Sequence, residues 1–212
     1  MPDFIKKLLD SNRNWVKSKL ISDPQYFNKL SQIHEPKVLW IGCSDARVPA
    51  NEITGTAPGD IFVHRNISNM VVHSDMNMLS VLSYAVEVLM VKHIIVCGHY
   101  SCGGISAAMS SKSFGLIDNW LRHIKDVYRI HAEELEAIKD ESIRYKRLVE
   151  LNVKQQVYNL CKTSIVQSAW NKGEFPYIHG WVYDVHDGIL NDMDVTFNNN
   201  AELSHMYKFE GI

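Results

Sequence analysis

At 212 residues the chain suits one domain with a single substantial core. Its 46% apolar content, 22% charged content and formal net charge of −2 are ordinary for a soluble globular protein. No Lys/Arg cluster suggests a nucleic-acid or anionic-membrane partner, and no apolar run approaches the ~18 residues that span a bilayer. The opening MPDFIKKLLDSNRNW lacks a secretory apolar core, so the expected location is cytoplasmic.

In chain order, Phe4, Ile5, Leu8, Leu9, Trp15, Val16 and Leu20 recur at helical spacing over 3–21, and Asp23-Pro24 opens a second helical segment to about Ile33. Residues 1–35 thus read as an amphipathic arm, packed on its own domain or on a neighbouring subunit. Pro36 releases a first strand at 37–42. Asn51–Gly55 reads as a helical turn, Pro58-Gly59-Asp60 as a turn, Ile61–Val63 as a short strand and His64–Asn69 as a polar loop. A helix over 75–89, capped by Ser74, leads to a second buried strand at 93–97.

Gly103-Gly104 open a helix through Met109; further helices are expected over 115–139 and 142–170, the latter with Val149, Val153, Val157 and Leu160 as its core stripe. Strands at 176–183 and 189–196 join through Asp187-Gly188 in a hairpin. Alternation of strands and helices points to one α/β domain over 1–212, with a mostly parallel central sheet flanked by helices and a C-terminal antiparallel edge.

Two strand ends carry the chemistry. Val38–Gly42 runs into Cys43-Ser44-Asp45-Ala46-Arg47-Val48-Pro49, and Ile94–Cys97 runs into Gly98-His99-Tyr100-Ser101-Cys102-Gly103-Gly104. Neighbouring parallel strands ending on one edge would gather Cys43, Asp45, His99 and Cys102, and the carboxyl edge of an open α/β sheet is where sites are built. Two thiolates and an imidazole suit tetrahedral zinc. Water in the fourth position would be acidified and supply hydroxide near neutral pH; Asp45 there would close the site. Arg47, two residues from Asp45 in an extended segment, can pair with that carboxylate and hold it beside the water instead. Two thiolates cancel the ion's charge, so the bound water should be less acidic than at a three-histidine zinc site, with activity rising into the alkaline range. A helix N-terminus beside Cys102 favours its thiolate. Cys97 and Cys161 read as buried small hydrophobes.

CSDARVP at 43–49, HRNISN at 64–69, CGHYSCGG at 97–104 and HGWVYDVHDG at 179–188 together resemble the β-class carbonic anhydrases. The resemblance implies reversible hydration of carbon dioxide to bicarbonate and a proton through zinc-bound hydroxide. Cys43, His99 and Cys102 would be the Zn2+ ligands, and Asp45 with Arg47 the catalytic dyad. It further implies homodimers, commonly paired into homotetramers, with the N-terminal arm gripping a partner.

One subgroup of the family, inhibited allosterically by bicarbonate, binds that anion through a Trp, an Arg and a Tyr, matched here by Trp40, Arg65 and Tyr183. In that subgroup the closed state places the Asp on zinc, making Asp45 the swinging ligand. Phe62, Ile67 and Tyr84 match an apolar substrate wall, partly across the dimer interface. Two positions depart from the pattern: His34 stands where Gln is common, and Ala46 where Ser is usual. The alternatives are a hydrolase of another small heterocumulene such as carbon disulfide, and a non-catalytic protein with a closed structural metal site.

Overall fold

A computed structural model describes residues 2–32, 35–173 and 175–212. The chain divides into two compact units, Met1–Glu35 and Pro36–Ile212. The first holds helix α1 (Asp3–Ser22) and helix α2 (Tyr26–Gln32), joined through Asp23, whose carboxylate accepts from Gln25 N and Lys29 Nζ. Trp15 meets Tyr26 and Phe27 edge to face at 6.3 and 5.5 Å, so aromatic contacts fold α2 back on α1. His34 and the expected helix end at Ile33 lie outside the described residues.

The second unit is built on a five-stranded sheet in the order β2-β1-β3-β4-β5. Strands β1 (Val38–Cys43), β2 (Ile61–Asn66), β3 (His93–His99) and β4 (Tyr177–Tyr183) run parallel, and β5 (Leu190–Phe197) closes the edge antiparallel to β4. The sheet is therefore mostly parallel, with helices between its strands. Short helix α3 (Ala50–Thr54) links β1 to β2, and α4 (Met76–Ser83) precedes β3. Helices α5 (Gly103–Met109), α6 (Asp118–Ile130), α7 (Ala132–Ala137), α8 (Glu141–Cys161) and α9 (Ser164–Lys172) form the connection from β3 to β4. No helix among the described residues is long and apolar enough to cross a membrane.

Burial on both faces explains the near-continuous apolar runs of β1 and β3. Leu39, Ile41, Ile94, Val96, Ile178 and Val182 belong to one core cluster, in which Val149, Val153, Val157 and Leu160 of α8 pack over β3 and β4 as the core stripe predicts. Burying each such side chain is worth about 1.5–3 kcal/mol. Trp40, Ile95 and Cys97 face the other layer with Ala50, flanked by half-buried Trp181 and Tyr183. Cys97 and Cys161 are both fully buried, as expected of them.

Several boundaries differ from the sequence reading. His64–Asn66 is not loop but the end of β2, because β1 offers its free edge as far as the Cys43↔Asn66 pair and buries His64 there. Asp75, not Ser74, caps α4, its carboxylate accepting from the amides of Asn77 and Met78. The helix expected to reach Leu89 widens into a single π-type turn over Tyr84–Val88, with Leu89 N donating to Tyr84 O. The helix expected over 115–139 breaks at His131, and that over 142–170 breaks at Thr163, whose hydroxyl accepts from Val166 N and starts α9 anew. Apolar periodicity runs through both breaks; a side-chain cap restarts the helix at Thr163, whereas the His131 side chain makes no such cap.

Two strand glycines set how closely α8 approaches the sheet. A Cβ on Gly98 would lie 2.6 Å from Val153 Cγ2, and one on Gly180 would lie 2.6 Å from Val195 Cγ1 and 3.0 Å from Val153 Cγ1. Val153 is fully buried and stiff at χ1, so it cannot yield cheaply. Gly98→Ala should therefore destabilise the chain by about 1–3 kcal/mol in urea unfolding. Adding Val153→Ala should recover part of that loss, giving a clearly non-additive pair.

Candidate metal centre and catalytic site

β1 and β3 are adjacent and parallel, paired Trp40↔Ile95 and Gly42↔Cys97, yet their connections leave towards opposite edges of the sheet. This is the switch point at which open α/β sheets form a crevice beyond their carboxyl ends. Cys43 ends β1, His99 ends β3, and Cys102 is the residue immediately before α5. All three are buried, and their donor atoms lie within 4.8 Å of one another. The two sulfurs are 4.0 Å apart. Among the described residues this is the one cluster of His, Cys and carboxylate groups arranged to hold a metal ion.

Each donor is oriented from behind. His99 Nδ1 lies 2.9 Å from the Tyr100 carbonyl, which can only accept, so the proton sits on Nδ1 and Nε2 carries the lone pair. That Nε2 is buried without a hydrogen-bond partner among the described residues. The Cys102 thiol is brought down to about 6, first by the hydrogen bond from Cys43, then against burial by the Ser68 hydroxyl and the Ile105 and Gly104 amides at the start of α5. Cys43, the donor of that pair and itself buried, is pushed up to about 12. The two sulfurs are in contact, and a cation bound between them would take the place of their hydrogen bond.

Asp45 and Arg47 form the expected fork, but on a turn and not on the extended segment the spacing implied: Val48 N donates to Asp45 O at 3.1 Å. Arg47 Nε and a terminal guanidinium nitrogen donate to the two carboxylate oxygens at 2.9 and 2.7 Å, and Arg47 N donates to Asp45 Oδ1 at 2.9 Å. The same guanidinium reaches Ser101 O at 3.1 Å, tying the first ligand loop to the second. Asp45 Oδ2 stands 3.8 Å from His99 Nε2, beside the three donors but turned to arginine. Hydrogen bonds from Arg47 hold the Asp45 carboxyl well below the usual carboxylate range, with His99 and Arg47 charge adding to the effect.

The remaining sequence candidates fall in three places. Arg65 donates through Nε to Cys43 O at 2.7 Å and through a terminal nitrogen to Asp45 O, so it grips the backbone of the loop that follows β1. Trp40 is fully buried on the second face of the sheet, with its indole folded over Gly42, where a Cβ would lie 2.4 Å from Nε1. That indole N–H has no hydrogen-bond partner among the described residues. Tyr183, paired with His99 in register, belongs to the same second-face cluster as Trp40. Ile67 abuts the turn after Cys102, its Cγ2 2.9 Å from where a Gly104 Cβ would be. Phe62 and Tyr84 pack on each other at 5.8 Å, four residues down β2 from Asn66.

Sequence reasoning missed the frame around these groups. Asn152, Gln156 and Asn159 lie one turn apart on α8 and reach the 66–71 segment. Asn152 donates to Ser68 O at 3.2 Å, Gln156 accepts from Val71 N at 2.9 Å, and Asn159 donates to Val71 O at 3.1 Å. Trp120 Nε1 donates to Ile67 O, and Tyr145 Oη donates to Cys102 O. The signal was present as amides at i, i+4 and i+7 beside the apolar stripe, but nothing in the sequence says which backbone they meet.

The sign of the Asp45 shift makes a direct prediction. A depressed carboxyl stays ionised below the pH at which an ordinary aspartate, near 3.9, takes up its proton. Its favourable interactions persist as pH falls and are lost only through the depressed value. Arg47→Gln should return the Asp45 titration to the ordinary range, followed by the pH dependence of its carboxyl 13C resonance; an unmoved midpoint would remove Arg47 as the cause.

The carbonic anhydrase family model matches residues 38–190. A carbonic anhydrase of Emericella nidulans is 51% identical over 191 residues, covering 90% of this chain and 84% of that protein. One of Candida albicans is 36% identical over 96% of this chain and 73% of its own length. A tetrameric β-carbonic anhydrase of the filamentous ascomycete Sordaria macrospora superposes with a TM-score of 0.88 at 39% identity, over 92% of this chain and 99% of that one. The β-carbonic anhydrase of Coccomyxa, solved with acetazolamide, gives 0.87 at 35% identity, over 91% and 87%. With its parallel sheet and its buried Cys-His-Cys cluster, the chain belongs to the β class of the carbonic anhydrase family and is an enzyme of that class.

Proposed function

We propose that the chain hydrates carbon dioxide reversibly to bicarbonate and a proton with a zinc ion held by Cys43, His99 and Cys102. The observation that carries this reading is the convergence of three buried donors, one of them an imidazole nitrogen with no protein partner. The donors fit the ion: two Zn–S bonds of about 2.3 Å at a tetrahedral angle span about 3.8 Å, close to the 4.0 Å between these sulfurs. Bound there, zinc supplies a Lewis acid that brings a water's ionisation towards neutrality.

The chain's own groups do the rest. Asp45, ionised and aligned by Arg47, accepts a hydrogen bond from the attacking water and turns its lone pair towards the carbon of carbon dioxide. The Arg47 fork keeps the carboxylate from taking the fourth position itself. Ile67 supplies apolar surface beside the second ligand turn, with Phe62 and Tyr84 completing that wall across a dimer interface. The product proton leaves to buffer.

The finer reading is that bicarbonate also binds away from the metal, through Trp40, Arg65 and Tyr183, and inhibits. It is supported by the unpartnered indole N–H of Trp40 and by the double grip of Arg65 on the carbonyls of Cys43 and Asp45. An anion that recruited Arg65 would release the Asp45 backbone and let its carboxylate swing to the ion.

A homodimer, or a dimer of dimers, is the proposed assembly. The Sordaria relative is tetrameric, and within the first unit Phe4, Leu8 and Leu9 are left exposed on α1 as surface for a partner. Four free cysteines suit a reducing, cytoplasmic setting.

Stopped-flow carbon dioxide hydration tests these readings. Removing zinc with a chelator should abolish activity, and re-adding it should restore it. Asp45→Asn should lose about 10²-fold in turnover with zinc content unchanged; full activity in that variant would rule out the role given to Asp45. The pH–rate profile should rise into the alkaline range, and a flat one would contradict the charge argument. Arg65→Ala should lose most bicarbonate inhibition, whereas equal sensitivity with non-cooperative wild-type kinetics would remove the second site.

A further inference from the structure

Ser68 is fully buried just after β2, in a left-handed backbone conformation with φ 66° and ψ 31°. A residue with a Cβ adopts that conformation at a cost that glycine does not bear. The strained turn is nevertheless braced from several sides. The Asn66 side chain accepts from Met70 N at 2.7 Å and donates to Met70 O at 2.8 Å, Asn152 holds Ser68 O, and Trp120 holds Ile67 O. What this bracing places is the serine hydroxyl, 3.4 Å from Cys102 Sγ. The opposite side is cleared for it, since a Cβ on Gly104 would lie 2.2 Å from Ser68 Oγ. A glycine at 68 would relieve the backbone but leave nothing to fill that contact.

We propose that Ser68 is a positioning residue of the metal site, its hydroxyl donating a hydrogen bond to the sulfur of Cys102. The direction follows from chemistry: a metal-ligating cysteine is a thiolate with no proton to give, so the hydroxyl is the donor. Such a bond has two effects. It fixes the sulfur's lone pairs with respect to His99 and Cys43, and it withdraws electron density from a thiolate that would otherwise give more of it to the ion. With two thiolates in the set, this withdrawal preserves Lewis acidity that their charge would quench. Outer groups that orient a ligand commonly change metal affinity or activity by about 10–100-fold.

The inference rests on the zinc reading above, and one experiment separates the two. Metal-free wild type, Ser68→Ala and Ser68→Gly are loaded with Co2+, and the thiolate-to-cobalt charge-transfer band is recorded. The alanine variant keeps the backbone strain and loses the hydroxyl; the glycine variant loses both, and guards against a variant that fails to fold. Removing a hydrogen bond from sulfur raises its lone-pair energy, so the band should move to longer wavelength in both variants. A purely structural serine would separate them, with glycine unchanged or improved. The proposal is overturned if the band stays put in either variant that binds cobalt. A wild type that binds cobalt with no thiolate band would overturn the cysteine-ligated site itself, and this inference with it.

Discussion

Ladder hydrogen bonds that pair Trp40 with Ile95 and Gly42 with Cys97 make β1 and β3 finish on the same edge of the sheet, and everything at the site depends on that register. A slip of one residue would turn every side chain of β1 to the opposite face. Leu39 and Ile41 would then leave the main core cluster, Trp40 would leave the second-face cluster, and Cys43 would leave His99. The burial of both sheet faces therefore specifies the metal centre as strictly as any contact within it. Gly98 and Gly180 belong to the same device, because they let α8 seat closely enough on the sheet for its polar face to reach the 66–71 segment.

The site also shows how a buried polar cluster is made tolerable. Around the three donors the chain places a backbone carbonyl on His99 Nδ1 and hydroxyls on Cys102, while His99 Nε2 is, among the described residues, a buried polar atom without a protein partner. An unpaired buried group is costly, and here it lies beside two thiols in contact with each other, a donor set that could hold a cation. Trp40 Nε1 is another such atom, on the far face of β1, and the fold brings a guanidinium to the same loop from the next strand. Arg47 and Arg65 divide the work at that loop: one fixes the carboxylate of Asp45, the other its carbonyl.

Legibility varied with how local the physics was. The pair Asp45 and Arg47 was visible from its close spacing, although the geometry that joins them is a turn over residues 45–48 and not the expected extended segment: Val48 N donates to Asp45 O and Arg47 N to Asp45 Oδ1. The strands that end in Cys43 and His99 were visible because runs buried on both faces are near-continuously apolar. The end of β2 was not, since His64-Arg65-Asn66 is polar and is drawn into the sheet only by the free edge of β1. The breaks at His131 and Thr163 were hidden in the same way, by apolar periodicity that continues across them. Ser68 stood inside a recognised motif, but its left-handed conformation and its reach to Cys102 come from partners 34 and more positions away.

The α/β class, the family and the candidate donor and dyad residues could be read from the chain alone, because residue type and short-range spacing set the strand pattern and the side-chain chemistry at the strand ends. Only the tertiary structure decided which nitrogen of His99 faces the other donors, where the guanidinium of Arg65 goes and what surrounds Cys102. Those outcomes turn on hydrogen bonds between segments far apart in the chain, whose pairing is settled by packing and carries no signature in the order of residues.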